Sequence, residues 1–230
     1  MPSPDAIPPT GPTQLALALD HAESFARDDF LSGPSNAGAL NLIERWPDWP
    51  ARVVVLTGPE GSGKSHLAAI WARAAGARSI GARILDEEGV PAALATGALV
   101  LENLTEGRFD EAQLFHLLNL AREEHAFVLI TTHSMPASWR VRIPDLASRL
   151  RALPVVALAA PDDALFRAVL VKMFADRQLA VDESLVGYLA TRIERSFAAA
   201  RAAVETLDRE ALSRKRPVNR ALATELFRAP

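Results

Sequence analysis

Eight residues restrict this chain more than any others: Gly58-Pro59-Glu60-Gly61-Ser62-Gly63-Lys64-Ser65. They fit G-x-x-x-x-G-K-[ST] without a mismatch. At average residue frequencies such a match arises by chance in roughly one chain of this length in a hundred. The flanks narrow the reading further. Arg52 to Thr57 (RVVVLT) is a short β-branched run between Pro50 and Gly58, as a buried parallel strand requires. A helical pattern runs from Ser65 to about Ala75. In such a loop the glycines let successive N–H groups turn inward toward phosphate oxygens, and the following helix aims its positive end at the same point. Lys64 is then placed to reach the β- and γ-phosphates, and the Ser65 hydroxyl to ligate Mg2+. His66 follows at once and is expected to pack near the nucleotide. A glycine-rich turn that binds nothing has no need of Lys64-Ser65. ADP or ATP with Mg2+ is therefore the expected ligand.

The rest of the chain suits such a loop. Its 230 residues, 49% hydrophobic and 23% charged, make one ordinary globular domain with room for a small appendage. Further strands are expected at Ser79–Leu85, Ala98–Leu101, Phe127–Thr132 and Pro154–Leu158. Helices are expected between them: Glu111–Glu124, where Leu114, Leu117, Leu118 and Ala121 recur at helical spacing, and Pro144–Leu150. Another helix, Ala37–Arg45, precedes the phosphate loop, capped by Ser35 or Asn36. Strands alternating with helices predict an α/β fold with a three-layer parallel sheet. After Pro161 the pattern changes to four helices, near 162–177, 183–194, 197–214 and 219–228, with Asp162, Asp182, Ser196 and Asn219 as N-caps. Three units result: a tail over 1–20, a nucleotide-binding domain over 21–160 and a helical lid over 161–230. The tail holds five prolines in its first 13 residues and is expected to be extended.

Composition excludes several classes. A net charge of −3 argues against a protein that holds DNA through phosphate contacts alone, so stable direct nucleic-acid binding is not expected. The absence of cysteine removes disulfides, thiolate metal sites and thiol nucleophiles. No apolar run reaches the roughly 18 residues of a membrane span, and no secretory signal pattern opens the chain, which predicts a cytoplasmic protein. His21, His66, His116, His125 and His133 show no metal-ligand spacing. Arg214-Lys215-Arg216 reads as a solvated helix end.

A hydrolase of this class needs a strand ending in carboxylates, one for the metal and one to activate water. Ala98-Leu99-Val100-Leu101-Glu102-Asn103 is that strand. Glu102 serves the metal. Asn103 has no basic oxygen near neutral pH, so weak intrinsic hydrolysis at most is expected unless Glu106 or Asp110 takes the role.

These segments, DFLSGPSNAGAL, GPEGSGKSHLAAIWA, LVLEN, LITTHSMP and IPDLASRL, together with the helical lid, resemble the AAA+ module of DnaA-type replication initiators over about residues 25–228. The resemblance implies a AAA+ P-loop NTPase without the DnaA DNA-binding domain. Gln14-Leu15-Ala16-Leu17-Ala18-Leu19 is similar to the clamp-binding peptide of the Hda family of DnaA regulators. By alternation alone the same stretch also suits a half-buried edge strand. The resemblance implies that Gln14, Leu15, Leu17 and Leu19 bind the β sliding clamp as an extended peptide. It implies further that the protein promotes hydrolysis of DnaA-bound ATP, that Arg149 in LASRL is an arginine finger acting in trans, and that Thr132 falls in the sensor-1 region with His133 in place of an acidic neighbour. The sensor-2 arginine is replaced by Ala198, and Arg201, one turn on, is the substitute. Self-association is compatible with this reading. Two other classes compete. A helicase-loader-like or other DnaA-related ATPase acting on DNA is expected to carry an aromatic and basic groove, but aromatics are 6% here. A small-metabolite kinase carries its arginines in a lid inserted within the α/β core, unlike LASRL.

Overall fold

In the computed structural model residues 25–85 and 89–227 are described. Their regular elements run α1 (Ala37–Glu44), β1 (Val53–Thr57), α2 (Lys64–Ala75), β2 (Arg78–Gly81), α3 (Gly89–Leu94), β3 (Ala98–Leu104), α4 (Glu111–Glu123), β4 (Phe127–Thr132), α5 (Pro144–Ala152), β5 (Val155–Ala157), α6 (Asp163–Asp176), α7 (Glu183–Arg192), α8 (Phe197–Arg214) and α9 (Arg220–Leu226). The five strands pair in the order β2-β3-β4-β1-β5, every pair parallel.

Alternation along each strand builds the three layers. Val53 and Val55 of β1, Leu99 and Leu101 of β3, and Val128 and Ile130 of β4 pack toward α3, α4 and α5. Val54, Leu56, Val100 and Leu129 face the other way, onto Leu40 and Ile43 of α1 and Leu67 and Trp71 of α2. Leu114, Leu117, Leu118 and Ala121 are buried on α4 as their spacing predicts. The helices after Pro161 enclose a core of their own around Phe166, Phe174, Leu189, Val204 and Leu222. Each starts at the expected cap: Asp162, Asp182, Ser196 and Asn219 accept N–H groups of the first turn.

Four details depart from the sequence reading. The second strand ends at Gly81 and gives way to a 3-10 turn at Ala82–Ile84. The short helix α3 has no counterpart in the expectation. β3 continues past Leu101 to Leu104 through a bulge, its register stepping from Leu101 opposite Ile130 to Leu104 opposite Thr132. Asn36 caps backward: its Oδ1 accepts from Gly33 N–H at 2.8 Å, closing the preceding turn instead of the first turn of α1. Arg214 and Arg216 form an exposed helix end, ion-paired with Glu225. Among the described residues, no helix is long and apolar enough to cross a membrane.

Candidate nucleotide-binding site

Three neighbouring strands bring their carboxyl ends together. Gly58 N–H at the end of β1 donates to the Thr132 carbonyl of β4 at 3.3 Å. Asn103 N–H of β3 donates to Thr131 Oγ1 of β4 at 2.9 Å. Parallel α/β sheets bind ligands at this edge. Here it opens into a cavity of about 830 Å³, lined by Gly61, Ser62, Gly63, Lys64, Ser65 and His66 from the loop and α2, by Asn103 and His133 from the strand ends, and by the lid. The size lies within the range of small-molecule and cofactor pockets.

The loop is curled by two glycines in the left-handed region, Gly61 at φ 68° and Gly63 at φ 97°. Lys64 opens α2 and folds back under the loop, where its Nζ donates to the carbonyls of Gly58 at 2.9 Å and Pro59 at 2.7 Å. Burial pulls its ammonium below the ordinary lysine value, and Glu60 offsets this in part. The Ser62 hydroxyl is buried with no hydrogen-bond partner among the described residues.

The lid rests directly on the loop. Phe197 N–H, in the first turn of α8, donates to the Gly61 carbonyl at 2.8 Å. A Cβ on Gly61 would stand 2.9 Å from Ser196 Cβ and 3.2 Å from Ala198 Cβ. Ala198 and Arg201 both line the cavity. A segment before α1 closes the other side. His66 lies edge-on between Phe25 and Phe30, with ring centroids 5.3 and 5.2 Å apart, and its Nε2–H donates to the Ala26 carbonyl at 3.1 Å. Asp29 of this segment pairs with Lys172 of α6 at 2.7 Å, and Lys172 pairs with Asp176 at 2.8 Å. The sequence marks this segment only through its likeness from Asp29 onward; its pairing with Lys172 and the cavity lining by Val169 and Met173 leave no periodic signal, because the partners lie more than a hundred residues apart.

Other predicted residues fall around the cleft. Glu102 sits in the β3 bulge; its carboxylate has no hydrogen bond or ion pair among the described residues, and burial raises its pKa above the ordinary value. It does not line the cavity, whereas Asn103 does. Asn103 stands at φ 55°, a conformation that asparagine tolerates better than most residues. Thr132 is buried, and its hydroxyl is engaged with Ser134, donating to the carbonyl at 3.1 Å and accepting from the N–H at 3.3 Å. The exposed side of this strand end is His133. Arg149 does not line the cavity. It makes no ion pair with Asp145 among the described residues, and its guanidinium lies 5.0 Å over the Phe115 ring. Glu106 and Asp110 are also committed elsewhere: Glu106 Oε1 accepts from Arg140 N–H at 2.6 Å, and Asp110 caps α4. Gln14, Leu15, Leu17 and Leu19 lie outside the described residues. No cluster of three or more His, Asp or Glu side chains suited to a metal occurs among the described residues.

A parallel sheet in this strand order, a phosphate loop after its β1 strand and a following helical part seated on that loop define the AAA+ P-loop NTPase fold. In sequence, no protein-family model and no curated protein matches the chain. In structure it is similar to domain III of the replication initiation protein DnaA from Thermotoga maritima, with TM-score 0.70 and 17% identity over 90% of this chain and 98% of that one. It is similar to AMPPCP-bound DnaA from Aquifex aeolicus, with TM-score 0.67 and 16% identity over 83% of this chain and 68% of that one. It is also similar to the RuvB Holliday junction branch migration motor of Thermotoga maritima, with TM-score 0.69 and 17% identity over 88% of this chain and 70% of that one. Likeness at this identity establishes the fold.

Proposed function

We propose that this chain is a nucleotide-binding regulator of replication initiation of the Hda type. It holds ADP or ATP in its own cleft, binds the sliding clamp through Gln14, Leu15, Leu17 and Leu19, and promotes hydrolysis of ATP held by DnaA. The observation that carries the reading is the division of labour within one AAA+ fold. The cleft has Lys64, Ser65 and a curled loop for phosphates, yet presents Asn103 where a water-activating carboxylate belongs. Arg149 meanwhile is not among the residues that line that cleft, and its guanidinium lies over the Phe115 ring. A fold that binds nucleotide, lacks the base and offers an arginine elsewhere suits action on a neighbour's nucleotide.

Mg2+ fits the donors present. A magnesium ion is held by one or two protein oxygens, with phosphate oxygens and water completing its shell, so no three-carboxylate cluster is needed. The Ser65 hydroxyl, which lines the cleft, would hold it; Glu102 stands one residue before the cavity-lining Asn103 on β3 and would join only by turning its carboxylate, which has no partner among the described residues, toward the cleft. Bound there, the ion would neutralise phosphate charge. Lys64 and the loop amides orient the phosphates, and Arg201 with Ala198 forms the lid side of the cleft. The α/β part over 21–160 and the lid over 161–230 act together in this scheme, and the tail over 1–20 tethers them to the clamp.

The test is single-turnover hydrolysis of labelled ATP on DnaA, with clamp loaded on DNA. The native protein is expected to accelerate it. Arg149→Ala is expected to fold, bind nucleotide and bind clamp normally, but to lose the acceleration, by roughly 10³-fold or more if it behaves as other fingers do. Full stimulation by the variant removes Arg149 from the mechanism, and no stimulation by the native protein removes the reading.

A further inference from the structure

The face of α4 that meets α5 carries two residues that the proposed cleft chemistry does not use. Glu111 opens the helix, and its carboxylate crosses to the neighbouring segment. Its Oε2 accepts from Arg142 N–H at 2.8 Å and from Ile143 N–H at 3.0 Å. Ile143 is the N-cap of α5 and has no capping side chain of its own, and Pro144 after it has no N–H to offer. Glu111 therefore caps α5 from outside, with its negative charge at the positive end of the helix. Its side chain is only 15% exposed, and its bond to Ile143 N–H is half-buried, whereas the bond to Arg142 N–H is open to water. Arg142 adds little to this, because its Nε stands 3.6 Å from Glu111 and its side chain is 93% exposed.

One turn along α4 from Glu111 comes Phe115, on the same face. Its ring lies under the Arg149 guanidinium. A ring face at this distance attracts a cation and restrains the plane of the guanidinium. The two contacts act on the same helix at its two ends. Glu111 sets where α5 begins, and Phe115 sets where the arginine near its other end points. The segment that leads into α4 is held in turn by Glu106, which accepts from Arg140 N–H, so the entry to α5 is pinned twice.

We infer that Glu111 and Phe115 form a positioning platform for Arg149. The inference rests on the trans-acting reading of Arg149. A finger works only if it arrives at the partner's phosphoryl group in the productive geometry, and a misplacement of an ångström or so already slows a reaction markedly. The platform orients the guanidinium before the partner arrives, so the cost of ordering a long flexible side chain does not fall on the reaction step.

The experiment measures stimulation of DnaA-bound ATP hydrolysis against concentration of the full-length protein, which separates the maximal rate from the half-saturating concentration. Phe115→Leu keeps an apolar side chain against the core but removes the ring face. Its maximal rate is expected to fall by on the order of tenfold to a hundredfold. Its half-saturating concentration, nucleotide affinity and melting temperature are expected to stay near native. Glu111→Ala is expected to lose maximal rate in the same way. Glu111→Gln retains an oxygen that accepts both N–H groups, and it is expected to restore most of the rate, a rescue that separates capping from charge. Native maximal rates in both Phe115→Leu and Glu111→Ala, beside an inactive Arg149→Ala, overturn the platform and leave the trans-acting reading standing. A change confined to the half-saturating concentration also overturns it, since that is a docking defect. Native stimulation by Arg149→Ala overturns the reading itself and the platform with it.

Discussion

Asn103 meets two demands at once. The β3 bulge turns its backbone to φ 55°, and the same bulge carries it to the cavity lining beside His133. From the sequence, asparagine here is a missing base within a segment that carries the family resemblance. In the structure it is also a side chain suited to a left-handed turn, where a glutamate is costly. Its neighbour Glu102 yields a measurable consequence. Burial raises the Glu102 pKa, so the folded state holds that proton more tightly than the unfolded chain, whose glutamate titrates near about 4.3. The sign follows. With Glu102 protonated below the unfolded value there is no penalty. As pH rises from that value through the raised folded one, the buried charge is imposed on the folded state alone and stability falls. Glu102→Gln is therefore expected to melt higher than native protein at neutral pH without Mg2+, with the gap closing in acid. Thermal melts across pH check this. Parallel curves for the two proteins indicate a carboxylate that is not desolvated.

At the scale of elements, legibility depended on range. The phosphate loop was legible because phosphate binding requires particular residues at fixed local spacing. The lid helices were legible because Asp162, Asp182, Ser196 and Asn219 cap their own first turns. The Asp29–Lys172 pair was not, since the partners lie far apart in sequence and neither residue type is diagnostic. Helix α3 escaped because six residues with Pro91 inside span less than two turns, too few for a periodic signal. The capping of α5 by Glu111 escaped for the same reason as the Asp29–Lys172 pair. The docking of α8 on the loop is an element-scale feature with a direct test. Gly61 combines φ 68° with a close approach to Ser196, so Gly61→Ala meets both backbone strain and a Cβ contact at 2.9 Å. The start of α8 is expected to lift, breaking the Phe197 N–H bond to the Gly61 carbonyl. Hydrogen exchange is expected to quicken at the Phe197 amide while β1 and β4 amides keep native protection, and nucleotide affinity is expected to fall. Unchanged protection at Phe197 shows that the lid does not depend on this approach.

At the scale of the whole molecule, the proposal divides the chain into a tether, a nucleotide-filled body and an arginine edge, and it requires the tether to be separable from the body. The sheet offers a reason to expect this. β2 and β5 are the edge strands, and both pair in parallel with their neighbours. β5 contributes only three residues, Val155–Ala157, and β2 only four, Arg78–Gly81, so each edge gives short backbone for a further strand. If Gln14–Leu19 were such a strand, it would share in the stability of the fold. If it is a ligand peptide, its leucines fill pockets on the clamp and Gln14 supplies directional hydrogen bonds there, and the body is indifferent to them. The double variant Gln14→Ala with Leu15→Ala decides between the two. It is expected to lose retention on immobilised sliding clamp while matching the native protein in melting temperature and in nucleotide affinity by calorimetry. It is also expected to stimulate DnaA-bound ATP hydrolysis poorly when clamp on DNA is the meeting point, since tethering acts by raising the local concentration of Arg149 and not by altering it. A large excess of the variant is then expected to recover part of the rate, which Arg149→Ala at any concentration does not. A lowered melting temperature in the double variant makes the alternating leucines part of the sheet and removes the tether. Native clamp retention by the variant moves the contact to another surface of the molecule.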